Sequence, residues 1–139
     1  MAQAIPSSES APQPVRSPYL IVLLAWLIPG AGHLLLGRRG RGAIVLSTVL
    51  LTFLVGLLMH GPMFQPHGGD LLSTLIQYGG FIGDLSSGIL YLLAVWLGYN
   101  APDVAAFSPD YGQKFLVAAG LLNILAIVDA YEIATHQKD

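Results

Sequence analysis

The sequence lacks cysteine and has few charged residues. Without cysteine, the chain has no structural disulfides, thiolate metal sites or cysteine nucleophiles. Charged residues make up 10% of its 139 residues, whereas a soluble domain carries about 25%. So few charges cannot cover a water-soluble fold of this size, and a 54% hydrophobic content indicates lipid as the solvent. The net charge of −2 argues against nucleic-acid binding, which needs a basic face.

Four apolar runs predict an all-α fold, a polytopic transmembrane helical bundle. We place a disordered tail at residues 1–18, which are rich in Pro and Ser, and the transmembrane helical domain at 19–136. A spanning helix needs about 20 apolar residues. The runs cover 19–36, 43–59, 71–99 and 115–134.

The third run is too long for one upright span. We therefore predict a short interfacial helix at 71–78, where polar and apolar residues lie on opposite faces, and a span at 80–99. Asp84, followed by Leu85 and two serines, is expected to be the N-cap that opens this span.

The arginines set the predicted orientation. Four spans with both termini outside place Arg38, Arg39, Arg41 and Lys114 inside, as basic residues prefer. In an alternative, Pro29-Gly30 bends the first run into a re-entrant hairpin. We favour a kinked span, because a turn exposed to lipid loses backbone hydrogen bonds. The expected partner is the bilayer, with anionic lipid headgroups at the three arginines.

Asp129 is the most informative polar residue, because it lies near the end of an apolar helix. It shares one helical face with Glu132 and His136. Its functional interpretation is an ion or proton site, or a buried partner for Arg38, Arg39 or His33. The alternative is a helix-end residue one turn from water. The candidate polar cluster consists of Pro29, Gly30, Gly32, His33, Gly37, Arg38, Arg39, Asn123 and Asp129.

Small residues at helical spacing predict close helix packing, either within the chain or in a homo-oligomer or with other membrane proteins. The candidate packing positions are Gly79, Gly83, Ser87, Ala126 and Ala130, and Asn123 is expected to bond across such a contact. His60 and His67 are too poor in neighbouring ligands to predict a metal site, and no cofactor is expected. No catalytic triad order or P-loop stands out, so we do not expect an enzyme.

The segment "PGAGHLLLGRRGRG" (29–42) resembles a stretch of the small two-transmembrane-helix domain family, and "LLNILAIVDAYEIA" (121–134) resembles that family's closing helix, with Asp129 at the matching position. The chain from Tyr19 onward is more similar to a family of uncharacterised small bacterial integral membrane proteins. That similarity includes Tyr111-Gly112, Leu122-Asn123 and Asp129-Ala130-Tyr131. A long insert with an extra span departs from the two-helix family. Neither resemblance implies catalytic residues.

Two functions follow as hypotheses. The first is a non-enzymatic packing, assembly or envelope-organising protein, which rests on the small-residue positions. The alternative is a small transporter or ion-conducting oligomer with Asp129 on the path. In both cases the expected location is the bacterial inner (cytoplasmic) membrane.

Overall fold

The computed structural model describes residues 17–64, 68–99 and 108–135. Its regular structure in these ranges is entirely helical, which confirms the all-α class. The helices are α1 (Pro18–Leu27), α2 (Ala31–Leu35), α3 (Arg39–Leu58), α4 (Leu71–Ser86), α5 (Ile89–Trp96) and α6 (Ser108–Ala134). Most of the predicted tail, residues 1–16, lies outside the described residues, as do His67 and His136.

Helices α3 and α6 form the antiparallel centre of the fold. Gly56, near the end of α3, packs against Leu116, near the start of α6. At the other end, Arg41 of α3 lies 3.5 Å from Asp129 of α6. We call this second end, with Arg41 and Asp129, the arginine end, and the opposite end, with Gly56 and Lys114, the lysine end. By length and composition these two helices could each cross a membrane.

Helices α1 and α2 form a hairpin that breaks at Pro29 and Gly30. A Cβ atom on Gly32 of α2 would lie 2.9 Å from the Ala25 Cβ and 3.5 Å from Ile21 of α1. A continuous helix would separate positions 21 and 32 by about 16 Å, so α2 has folded back along α1. With 10 residues, α1 is only about 15 Å long, which is about half of a bilayer core.

The first apolar run therefore folds as a hairpin, the geometry of the re-entrant alternative, and not as one kinked helix. A turn exposed to lipid would lose backbone hydrogen bonds, but Pro29 and Gly30 avoid this cost because they are buried by protein. Gly30 has φ +82°, and a side chain there would meet the Gly42 carbonyl oxygen at 2.4 Å. Only glycine allows both this backbone conformation and this close approach.

Helix α4 runs unbroken through the position where the sequence predicted a boundary. The split into an interfacial helix at 71–78 and a span from 80 is wrong, and so is the N-cap at Asp84, which lies inside the last turns of α4. The N-cap is Asp70, whose carboxylate accepts a hydrogen bond from the Ser73 hydroxyl, and this bond lowers the pKa of Asp70. Gly80 does not break the helix. It leaves room for the Phe64 ring, since a Cβ atom on Gly80 would lie 2.3 Å from that ring.

The break comes instead at Gly88, which has φ +66°, and α5 leaves at 99° to α4. Helix α4 runs parallel to α6, because Gly83 contacts Gly120 and Ser86 contacts Asn123 further along both helices. Helix α5 then returns to the lysine end, where the Tyr99 hydroxyl donates to the Gly61 carbonyl oxygen at 3.2 Å.

The pair α4–α5 is thus a second hairpin, and its two ends lie at the lysine end, opposite to the ends of the first hairpin. Counted as one bent span, this pair would raise the candidate crossings from two to three. The buried core of the bundle joins this hairpin to the central pair and comprises Val49, Phe53, Ala94, Leu116 and Ala119. Most large apolar side chains outside it are exposed, as lipid-facing residues are.

Candidate functional site

The tips of the two hairpins meet at Asn123, near the middle of α6. The Asn123 Nδ2 donates to the Ser86 carbonyl oxygen at 2.8 Å and to the Trp26 carbonyl oxygen at 3.3 Å. In return, the Trp26 indole Nε1 donates to the Leu85 carbonyl oxygen at 3.3 Å. The last carbonyls of a helix have no partner within it, and lipid offers none. One buried amide therefore caps the ends of both α1 and α4.

At the arginine end, α2 places His33 against α6. The His33 Nε2 lies 2.8 Å from the Asp129 Oδ2, and the Arg41 Nη1 lies 3.5 Å from the same oxygen. The His33 side chain is 2% exposed and that of Asp129 24%, so the pair spans the boundary between interior and surface. Gly32 permits the approach, because its Cβ would be 2.8 Å from the Ala130 Cβ.

Gly37 ends α2 and directs the chain into the segment that contains the three arginines. The Arg38 N–H donates to the His33 carbonyl oxygen and the Gly37 N–H to that of Leu34, with φ +78° at Gly37. This is a Schellman motif, which needs a left-handed residue at the Gly37 position. The turn thereby fixes the position of Arg41, at the start of α3, relative to His33.

Between Asn123, which we call the junction of the two hairpins, and the lysine end, α4 buries a carboxyl group. Asp84 is fully buried, and its Oδ2 accepts a hydrogen bond of 2.7 Å from the Phe64 N–H. Phe64 lies in the connection between α3 and α4, so this bond ties the connection to the second hairpin. A buried carboxyl group in an apolar bundle carries a desolvation cost that one hydrogen bond does not remove.

Three buried side-chain atoms have no hydrogen-bond partner among the described residues, and they lie at three successive levels along α6. They are the His33 Nδ1, the Asn123 Oδ1 and the Asp84 Oδ1. Buried polar atoms are normally satisfied by protein, water or a ligand. We call His33, Asp84, Asn123 and Asp129 the polar row.

The structure brings together only part of the predicted polar cluster. Asp129 meets His33 at 2.8 Å and Arg41, which lies outside the predicted cluster, at 3.5 Å. The sequence predicts for Arg41 only a role in orientation and in binding lipid headgroups. It does not predict the contacts of Trp26 or the burial of Asp84, since both depend on hairpins that the apolar pattern does not reveal.

Most of the predicted packing positions are buried within the chain, and one is exposed. Gly83 and Ser87 face Gly120 of α6 inside the chain, and a Cβ on Gly120 would lie only 1.6 Å from the Gly83 carbonyl oxygen. The small residues of α6, Ala126 and Ala130, are also buried. Gly79 differs, because it is exposed and no atom of another element in the described ranges lies within 4 Å of its Cβ position.

Together these features define a small all-helical protein with apolar helices able to cross a membrane and several buried polar residues. Residues 20–139 match a family described as a family of unknown function (DUF6677), and the chain belongs to this family. The match confirms the resemblance to an uncharacterised family, while the likeness to the two-helix family stays a prediction. Comparisons with curated proteins and with solved structures give no match.

Proposed function

We propose that this protein is a small membrane transporter or channel whose permeating or coupling ion is the proton. The observation that carries the proposal is the polar row, which places titratable groups on both sides of the Asn123 junction. His33 and Asp129 lie toward the arginine end, and Asp84 lies toward the lysine end. Ionisable groups buried in membrane segments are typical of proton relays.

The arrangement of broken helices supports the same proposal. In many transporters, discontinuous helices enter from opposite sides and end near the middle of the membrane, where they bind the coupling ion. Here α1 and α4 end at the same level of α6, where both meet Asn123. Irregular backbone at this depth is tolerated where protein covers it or where it lines a cavity.

A purely structural role would not require this composition. Asn123 has such a role, since it caps two helices. Asp84 accepts the Phe64 N–H, but a neutral amide oxygen would also accept that bond, so packing alone does not require an ionisable group in an apolar bundle. In the described part of the chain the Nδ1 of His33 and the Oδ1 of Asp84 have no hydrogen-bond partner, so each is available to exchange a proton.

Proton flux into proteoliposomes tests the proposal. The purified protein is reconstituted with a pH-sensitive dye inside, and a potassium diffusion potential drives protons inward. We expect flux well above that of empty vesicles, and at least a tenfold loss in Asp129→Asn and in Asp84→Asn. Asp110→Asn is the matched control, because Asp110 is an exposed carboxylate outside the polar row. Flux equal to empty vesicles, or unchanged in both variants, would rule out proton conduction through the polar row.

An assembly role is the second candidate, and the exposed Gly79 favours it. Small residues on an outward face allow another helix to approach closely. Gly83 and Ala126 cannot report on such a contact, since both are buried within the chain. Because the chain lacks cysteine, Gly79→Cys gives a single crosslinking site. An assembly role predicts disulfide-linked dimers in membranes and their absence in Ala43→Cys, an exposed position on α3.

A further inference from the structure

A groove of about 380 Å³ opens between α4 and α6 on the outside of the bundle, near the lysine end. Its walls include the apolar side chains of Phe64, Ile76 and Leu121. Two of its lining residues, Gly80 and Ala118, have little or no side chain and leave the space open. The groove therefore suits a flexible hydrocarbon chain.

The mouth of the groove is polar and positively charged. Lys114 and Gln113 line it one helical turn before Val117. Lys114 is exposed, and its Nζ lies 5.0 Å from the centre of the Tyr111 ring. Among the described residues it forms no ion pair with a carboxylate, so its charge is available to an anion.

The apolar wall is held in place from inside. The Phe64 backbone N–H donates to the buried Asp84 carboxylate at 2.7 Å, and the Phe64 ring lies against Gly80. A wall fixed by a hydrogen bond keeps its shape without an occupant, and such preorganisation favours binding. The groove is thus a formed site and not a gap between mobile side chains.

We propose that this groove binds one acyl chain of an anionic phospholipid, with the lipid phosphate at Lys114. The charge of the mouth identifies the occupant, because a cation and an amide donor beside an apolar groove complement a phosphate attached to a hydrocarbon chain. The site lies at the end opposite to Arg38, Arg39 and Arg41, and the residues that line it lie outside the polar row.

Native mass spectrometry of the full chain tests the proposal. The protein is released from micelles containing equal amounts of phosphatidylglycerol and phosphatidylcholine with the same acyl chains. We expect one retained phosphatidylglycerol per chain. Lys114→Gln should lower its retention about fivefold, which corresponds to about 1 kcal/mol per basic residue near an anionic surface. Lys114→Arg should retain it.

Ala118→Phe places a ring inside the groove and should abolish retention, while Ala43→Phe, the same change at an exposed position of α3, should not alter it. Circular dichroism establishes that each variant is folded, and the exposed Lys114 variants decide the question alone if Ala118→Phe unfolds. Equal retention of both lipids, or wild-type retention in Lys114→Gln, would overturn the proposal. So would displacement of the lipid by glycerol phosphate, which has no acyl chain.

Discussion

Asn123 joins three helices through one side chain, so its removal should have a measurable cost. In Asn123→Ala the carbonyls of Trp26 and Ser86 both lose their donor. Hydrogen bonds between helices in membranes contribute about 0.6 to 1.7 kcal/mol each. Two such bonds predict a loss of about 1 to 3 kcal/mol in the free energy of unfolding. The Asn123 Oδ1 has no hydrogen-bond partner among the described residues, so its removal adds no further loss of unfolding free energy.

Unfolding in mixed micelles titrated with dodecyl sulfate, followed by circular dichroism, measures this free energy. Asn123→Asp should be worse than Asn123→Ala, because an ionised carboxylate would face two carbonyl oxygens. Leu125→Ala is the matched control, since Leu125 is exposed on the same helix and lipid is as apolar as leucine. A capping role for Asn123 is excluded if Asn123→Ala unfolds like the wild type, or if Asn123→Asp is more stable than Asn123→Ala.

Further predictions concern the backbone. Gly120→Ala should cost about 1 to 3 kcal/mol of unfolding free energy by overpacking, because its Cβ would meet a carbonyl oxygen of α4 at 1.6 Å. Gly79→Ala, with open space around it, should be neutral or slightly stabilising in the same titration. His60 has φ +57° at the end of α3, so His60→Gly should stabilise by about 1 kcal/mol, whereas His60→Ala should not. A destabilised His60→Gly would show that the histidine side chain, and not the backbone, decides this position.

The central helices, α3 and α6, could be predicted because each contains a long and uninterrupted apolar run. The run at 43–59 became α3 and the run at 115–134 became most of α6. Each is apolar over about the thickness of a bilayer, and a helix is the simplest way to satisfy its backbone there.

The hairpins could not be predicted in the same way. An apolar run of 18 residues fits a kinked span and a re-entrant hairpin equally well, and only the protein that covers Pro29 and Gly30 decides between them. Gly79-Gly80 resembles a helix break, yet Gly80 is there to admit the Phe64 ring. The real break at Gly88 depends on its contact with the Trp26 carbonyl, which is distant in sequence.

The candidate site was accordingly predicted in part. Both His33 and Asp129 belong to segments that the resemblance marked, and the structure brings them to 2.8 Å. Asp84 was interpreted as a cap because a local pattern allowed it. Its burial against Phe64 arises only when the second hairpin forms.

Cysteine accessibility in oriented membranes tests the opposed hairpins most directly, because the chain contains no cysteine of its own. Single cysteines replace Ser17 and Gly40 at the arginine end, and Gly68 and Asp110 at the lysine end, all exposed. The fold predicts that a membrane-impermeant maleimide labels the first pair from one side and the second pair from the other. By the preference of arginines the first side is the cytoplasm. If the reagent labelled Gly40→Cys and Asp110→Cys from the same side, as four spans require, the account of two opposed hairpins would be contradicted.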